Sequence, residues 1–358
     1  MKKFSMKKLF SFLFNRKHSN MTISYGIVVL MYLIIEVLIK TNNLSYLLTS
    51  LLVPTCCYII VALALNLVVG FSGDLSLGHA AFMGIGAFVG SAISNYVYSL
   101  VPNIALRVIV AILAGSIISG IFGYLISIPV LKLSGDYLAI VTLAFCQIVK
   151  SLLNNIYLGF DDSGIHFSFI NQNFTLDGGK MLINGPVGST GNTKFSNFTV
   201  AIIMVLFTLF IVFNLINSKY GRAIKASRDN KIAASSIGID VIKAKTLCFV
   251  VSSILAGGAG ALYALNYTTL SVAKFDFNLS IMILVYVVLG GLGNIPGTIV
   301  ATTILVLLPE LLRSLSDYRM IAYALVLIII MLISNNETIK NSFNSLIGIF
   351  KRKDQNNV

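Results

Sequence analysis

Apolar positions along this chain gather into runs of roughly 20 residues, the length that crosses the hydrocarbon core of a bilayer as a helix. Short polar or glycine-rich breaks separate them. With a hydropathy window of about 19 residues, the runs fall at 21–39, 46–69, 78–98, 104–128, 136–157, 198–217, 245–266, 278–291, 296–313 and 318–334. The expected fold class is an all-α polytopic membrane protein with about ten transmembrane helices. The eighth and ninth runs are short and separated only by GGLGNIPG. Two longer hydrophilic segments remain. Residues 158–197 are rich in Gly, Asn and Asp and are expected as an external loop. Residues 217–245, NSKYGRAIKASRDNKIAASSIGIDVIKAK, combine small residues, an apolar stripe and basic flanks, which suits short helices joined by a turn. The organisation expected is a basic N-tail at 1–20, a membrane domain at 21–334 and a C-tail at 335–358.

Composition strengthens this reading. The chain has 358 residues, 57% hydrophobic and only 11% charged, against about 25% charged in a typical soluble domain. Net charge is +13, a balance that in a soluble protein would point to nucleic acid. Here the basic residues concentrate in the N-tail (Lys2, Lys3, Lys7, Lys8, Arg16, Lys17), in 217–245 and in the C-tail. That distribution is an orientation signal, placing both termini on the cytoplasmic side of the cell membrane, with lipid rather than nucleic acid as the surrounding partner. The basic N-terminus followed by an apolar run resembles a signal peptide, but no small-residue cleavage site closes the run, so a retained first helix is expected.

Little in the chain suggests catalysis. Lys180 follows two glycines, but Phe174 stands where a phosphate-binding loop needs its first glycine. HExxH, GxSxG and CxxC are absent, the three histidines are scattered, and Cys56, Cys57, Cys146 and Cys248 lie in apolar segments without ligand spacing. No catalytic residue, metal or cofactor is expected, and the chain is not expected to be an enzyme.

Two glycine-interrupted stretches stand out inside the apolar pattern, VVGFSGDLSLGH and VVLGGLGNIPGT. Broken helices of this kind mark translocation pathways in transporters, and the backbone groups they free must be satisfied by protein or cavity water. The candidates are Gly70, Gly73, Asp74, Ser76, Gly78, His79, Gly290, Gly291, Gly293 and Asn294. The same glycines equally suit close helix packing, and the sequence leaves both readings open. An intramembrane histidine is a functional candidate by default, although a structural hydrogen-bonding role is the expectation for His79. In the basic segment, Ala233-Ala234-x-x-x-Gly238 combines small residues for close helix approach with a glycine for the turn. It would suit docking of a cytoplasmic ATPase, while an ordinary positive-inside loop would serve orientation alone.

Extended blocks then carry a resemblance. LNLVVGFSGDLSLGHAAFMGIGAF, GDYLAIVTLAF, YGRAIKASRDNKIAASSIGIDVIKAKTLCFVVSSILAGGAGALYA and VVLGGLGNIPGTIVATTILVLLPELLR occur in order between about 50 and 334. They resemble the LivM-type permease of branched-chain amino acid ABC importers. The resemblance implies a vitamin-B12-importer-like (type II) architecture and a sister permease of LivH type. It also implies two cytoplasmic ATP-binding subunits and an extracytoplasmic substrate-binding protein that delivers leucine, isoleucine or valine. The family's ATPase-contact motif maps onto Ala233, Ala234 and Gly238, with Gly221 and Arg222 upstream; Ile232 stands at its glutamate position. GFDDSGIHF departs from the family's turn after the fifth helix, and Asp74 stands where Gln or Gly is common. Related permeases for urea, short-chain amides, nucleosides or other amino acids form the alternative, and a self-contained secondary transporter or channel a more distant one.

Overall fold

The computed structural model describes residues 19–41, 45–99, 103–131, 136–161, 164–170, 179–192, 194–195 and 197–312, with positions 321, 324, 325 and 328 beyond them. The chain divides into two compact units, Met1–Thr303 and Ile304–Val358. Nearly all of the N-tail, the C-tail and most of the tenth predicted span lie outside the described residues.

The apolar runs become helices close to their predicted limits. These are α1 (Ser19–Lys40), α2 (Tyr46–Asn66), α3 (His79–Tyr96), α4 (Ile104–Val130), α5 (Asp136–Asn155), α6 (Phe198–Asn217), α9 (Val241–Leu265), α10 (Phe277–Gly290) and α11 (Ile295–Leu311). The basic segment folds as two short helices, α7 (Lys219–Asp229) and α8 (Lys231–Ser236). Among the described residues, seven helical segments are long and apolar enough to cross a membrane. Of the other predicted spans within the described residues, α3 falls outside that group and α11 is shorter.

The segment expected as an external loop is not structureless. It forms β1 (Ile156–Asp161), β2 (Gly164–Phe169), β3 (Lys180–Asn184) and β4 (Ser189–Thr190), and β4 pairs with β5 (Thr269–Leu270). The larger sheet is antiparallel in the order β2-β1-β3, with Ile156 opposite Phe169 and Tyr157 opposite Asn184. The purely helical class therefore needs correction: strand pairing satisfies backbone groups that a bare loop would leave to water.

What holds the helices together is small residues rather than bulk. Lipid tails are as apolar as leucine, so helix association inside a membrane depends on close packing and interhelical hydrogen bonds. Gly86 and Gly90 on α3 lie one helical turn apart and face Gly257 and Ala261 on α9. A Cβ on Gly86 would collide with the Gly257 backbone, and one on Gly90 would sit 2.6 Å from the Ala261 Cβ. On α4, Gly115 meets Gly86 and Ala261, and the Ser119 hydroxyl reaches the carbonyls of Phe82 (3.2 Å) and Ser253 (2.8 Å). Three helices thus cross at backbone distance. α2, apolar on every face, is buried from Leu52 onward apart from the partly buried Tyr58. α1 packs on α6 through Tyr25 against Phe213 and Tyr32 against Phe198, leaving Leu30, Leu33 and Val37 exposed on its outer side.

Candidate functional site

The break after α2 begins with a change of winding. Beyond Asn66 the helix widens into a π turn over Leu67–Ser72 and stops at Gly73, whose φ of 75° is left-handed. Such widened turns recur at functional sites. Asp74 follows, its amide bonded to the Val68 carbonyl at 3.1 Å. The Asp74 carboxylate accepts from the Ser72 hydroxyl (2.6 Å) and from Lys245 Nζ on α9 (2.5 Å). Both members of that ion pair are mostly buried, with side-chain exposures of 12% and 16%. The chain then enters α3 through Ser76 and Gly78. The Leu77 amide is taken up by Thr142 Oγ1 of α5 (2.9 Å) and the Ala80 amide by Ser280 Oγ of α10 (3.0 Å). The first N–H groups of a helix have no partner within it, and here neighbouring helices supply one.

The second break lies between α10 and α11. Gly290 ends α10 in contact with the backbone of Thr298, and Gly291 and Gly293 both have positive φ. The Asn294 carbonyl accepts the Thr298 hydroxyl at 2.8 Å. The two breaks touch. Asn66, 1% exposed, accepts the Gly293 amide on Oδ1 (2.8 Å) and donates through Nδ2 to Thr298 Oγ1 (2.9 Å). Gly70 packs against the same Gly293 amide, leaving no room for a side chain.

The basic helix pair joins this junction from α7. Arg228 Nη1 donates to the Gly70 carbonyl at 2.6 Å, where the end of a helix carries partial negative charge that favours a cation. Every bend in the pair is capped. The Ser218 hydroxyl accepts the Gly221 amide (3.2 Å), and Asn230 Oδ1 accepts the amides of Ile232 and Ala233 (3.0 Å each). At the end of α8 the Gly238 amide bonds the Ser235 carbonyl and the Ile239 amide bonds Ala234, with Gly238 at φ 84°. That is a Schellman turn, in which glycine carries the left-handed residue without a Cβ penalty. Asp240 then caps α9 through the Lys243 amide (3.1 Å), and this bond holds its carboxyl below the usual carboxylate range.

A third cluster sits at the start of α3. His79 is buried, its ring against Phe82 and Phe249. The Ser252 hydroxyl donates to the Ala64 carbonyl (2.5 Å), so at 2.6 Å it accepts from His79 Nε2. That wiring assigns the Nε2–H tautomer, leaving Nδ1 as the acceptor facing the Ser76 hydroxyl at 3.4 Å. The imidazole ties α3 to α9, and through Ser252 to α2.

Residues 47–334 match the family described as the branched-chain amino acid transport system permease component. The chain belongs to this family. The chain is 33% identical over 289 residues to the high-affinity branched-chain amino acid transport system permease protein LivM of Salmonella typhimurium, covering 78% of this chain and 66% of that protein. To the protein of the same description from Escherichia coli it is 33% identical over 221 residues, covering 59% of this chain and 52% of that one. No solved structure matches.

In the fold, the residues singled out by the sequence fall into groups. Gly70, Gly73, Asp74, Gly290, Gly291, Gly293 and Asn294 belong to the joined breaks, whereas Ser76, Gly78 and His79 belong to the helix-start cluster. Gly221 is buried against the carbonyls of Leu215 and Ile216, and Arg222 points outward. Ala233 is exposed but Ala234 is 3% exposed, so only the first faces outward from α8. Five residues that organise the site escape a reading by motif: Asn66, Thr298, Arg228, Lys245 and Ser252. Asn66 carried a usable signal, being a lone amide in the apolar run VALALNLVV. Arg228 and Lys245 were hidden among other basic residues of the same segment.

Proposed function

We propose that the chain is the membrane-spanning permease subunit of an ATP-driven importer of branched-chain amino acids. On this reading it works beside a sister permease, receives its substrate from an extracytoplasmic binding protein and is driven by two cytoplasmic ATP-binding subunits. The reading includes about ten spans in a vitamin-B12-importer-like arrangement, with both termini cytoplasmic in the cell membrane. The observation that carries it is the bond from Arg228 to Gly70, which ties a capped, outward-facing helix pair to the place where two broken helices meet. Transport against a gradient requires the push of nucleotide closure to reach the pathway wall, and a rigid helix bonded to the break supplies that link. The outer side of α8 supports the role of docking surface. Ile232 and Ile237 are 78% and 76% exposed beside Ala233, an apolar tip on an otherwise basic segment.

The burial of Ala234 separates two tests. In a reconstituted complex, Ala233→Trp should block docking, so that amino acid uptake falls at least about tenfold while the permease melts as before. Ala234→Leu should instead lower the melting temperature, because it overfills a packed position. Undiminished ATP-driven uptake with Ala233→Trp would remove the docking assignment.

A further inference from the structure

At the end of α3 opposite His79 lies a cavity of about 380 Å³ lined by Asn95, Tyr98, Lys180, Met181, Thr190 and Gly191. Its size lies within the ordinary range for small-molecule sites, about 300–1,000 Å³. Among the described residues its lining carries one charge, the Lys180 ammonium, and no acid. Lys180 Nζ lies 5.5 Å from the centre of the Tyr98 ring, and the Arg107 guanidinium lies 4.9 Å from the same ring. Among the described residues neither cation has a carboxylate within ion-pair distance. The acid of the adjoining sheet, Asp161, is bonded to His166 at 3.0 Å.

The polar groups behind the wall tilt the same way. Arg107 is 4% exposed and its Nε has no hydrogen-bond partner; Asn192 is 4% exposed and its Nδ2 has none. Asn192 Oδ1 is already occupied, accepting from Asn95 Nδ2 (2.7 Å) and from the Ser189 hydroxyl (2.9 Å). Buried donors without acceptors are costly, and charged ones more so. Neither group lines the cavity, so a ligand there would not bond them directly; what they add behind the wall is positive potential, which favours a ligand bearing negative charge over a neutral apolar one.

We propose that this cavity binds a small carboxylate of the α-amino acid class, with Lys180 as its ion partner and Asn95 and Thr190 as hydrogen-bonding neighbours. Arg107 does not line the cavity. It adds positive potential from behind Tyr98 and braces that ring. The identity of the ligand as an amino acid rests on the permease reading, under which this end of α3 faces outside and the cavity is a first stop before the pathway. The carboxylate class rests on the cavity alone.

The test uses the full chain in lipid nanodiscs with L-leucine as probe, read by saturation-transfer NMR and calorimetry. Leucinamide, which lacks the carboxylate, and 4-methylpentanoate, which lacks the amine, serve as competitors. Leucine should bind, 4-methylpentanoate should displace it, and leucinamide should not. Lys180→Gln should weaken binding by about tenfold, the scale of one lost charged hydrogen bond, and Lys180→Arg should restore most of it. Equal competition by leucinamide, or unchanged affinity in Lys180→Gln, would overturn the proposal. Uptake by cells carrying the whole transport system separates the two readings. A chain that drives leucine uptake yet binds no leucine in nanodiscs loses the cavity and keeps the permease role. A chain whose leucine binding needs Lys180 but that supports no branched-chain uptake keeps the cavity and loses the permease role.

Discussion

Asn66 and His79 are both buried polar side chains at helix ends, yet they respond to replacement for different reasons. Asn66 joins two segments far apart in sequence with both faces of its amide, and its Oδ1 takes up the Gly293 amide. Asn66→Leu has similar volume but leaves that amide without its partner. The expected cost is about 1–3 kcal/mol, read as a lower melting temperature in detergent, together with reduced uptake. His79 uses Nε2–H as a donor to Ser252. The amide of His79→Gln can reach the same oxygen, so this variant should keep most of the uptake, whereas His79→Leu should lose stability. Complete loss of uptake in a well-folded His79→Gln would instead show that the imidazole serves the pathway. At this scale the glycines were legible because they cluster, and His79 because ionisable groups are rare in apolar runs. Their partners were not legible, since Ser252, Thr298 and Gly293 are neighbours of these residues only after folding.

Among the elements, helices were easier to read than their contacts. Apolar runs are bounded by polar residues whether or not their partners are known, so α6 begins and ends where hydropathy places it. The strands were passed over because Gly, Asn and Asp dominate 158–197, although β2 alternates Ile165, Phe167 and Phe169 with smaller or polar residues. Period-two alternation over six residues is a weak signal beside a composition that favours turns. The glycine ridge between α3 and α9 shows what the helix pattern omits. Gly86→Leu forces side-chain atoms into the Gly257 backbone and should destabilise by about 1–3 kcal/mol or more. Gly26→Ala on α1 meets nothing within 4 Å and should stay within about 0.5 kcal/mol of the parent. A thermal melt of the two variants side by side checks the assignment; equal melting would mean the crossing is not as tight as described.

For the whole molecule, the proposed function asks how a push on α7 and α8 would reach the first break, and of the charged contacts made there, which include Lys225 over the Phe71 ring, two have distinct consequences. Asp74 and Lys245 form a mostly buried pair that also holds Ser72. Lys245→Met strands a carboxylate, and removing one partner of such a pair costs about 3–5 kcal/mol; adding Asp74→Asn should recover much of that loss. This contact holds the break together. Arg228 differs, because its side chain is 46% exposed, its close bond is to the Gly70 carbonyl, and its charged contact, with Asp229 at 3.8 Å, is to a carboxylate that is itself 75% exposed. Arg228→Ala therefore leaves no buried charge behind, and the fold should tolerate it. What it removes is the bond through which, on the proposed function, movement of α7 would pull on Gly70, and with it on Gly293 and Asn66. In a reconstituted complex, ATP hydrolysis should continue while uptake falls, raising the ATP consumed per amino acid imported by about fivefold or more, the lower end of ordinary coupling energies. Lys243→Ala, which removes an exposed cation from the start of α9, should leave that ratio unchanged. If Arg228→Ala also left it unchanged, transmission would have to run through the other contacts at the break, the Lys225–Phe71 contact and the Asp74–Lys245 pair, and Lys225→Ala and the Asp74→Asn/Lys245→Met double variant, measured separately, would tell which.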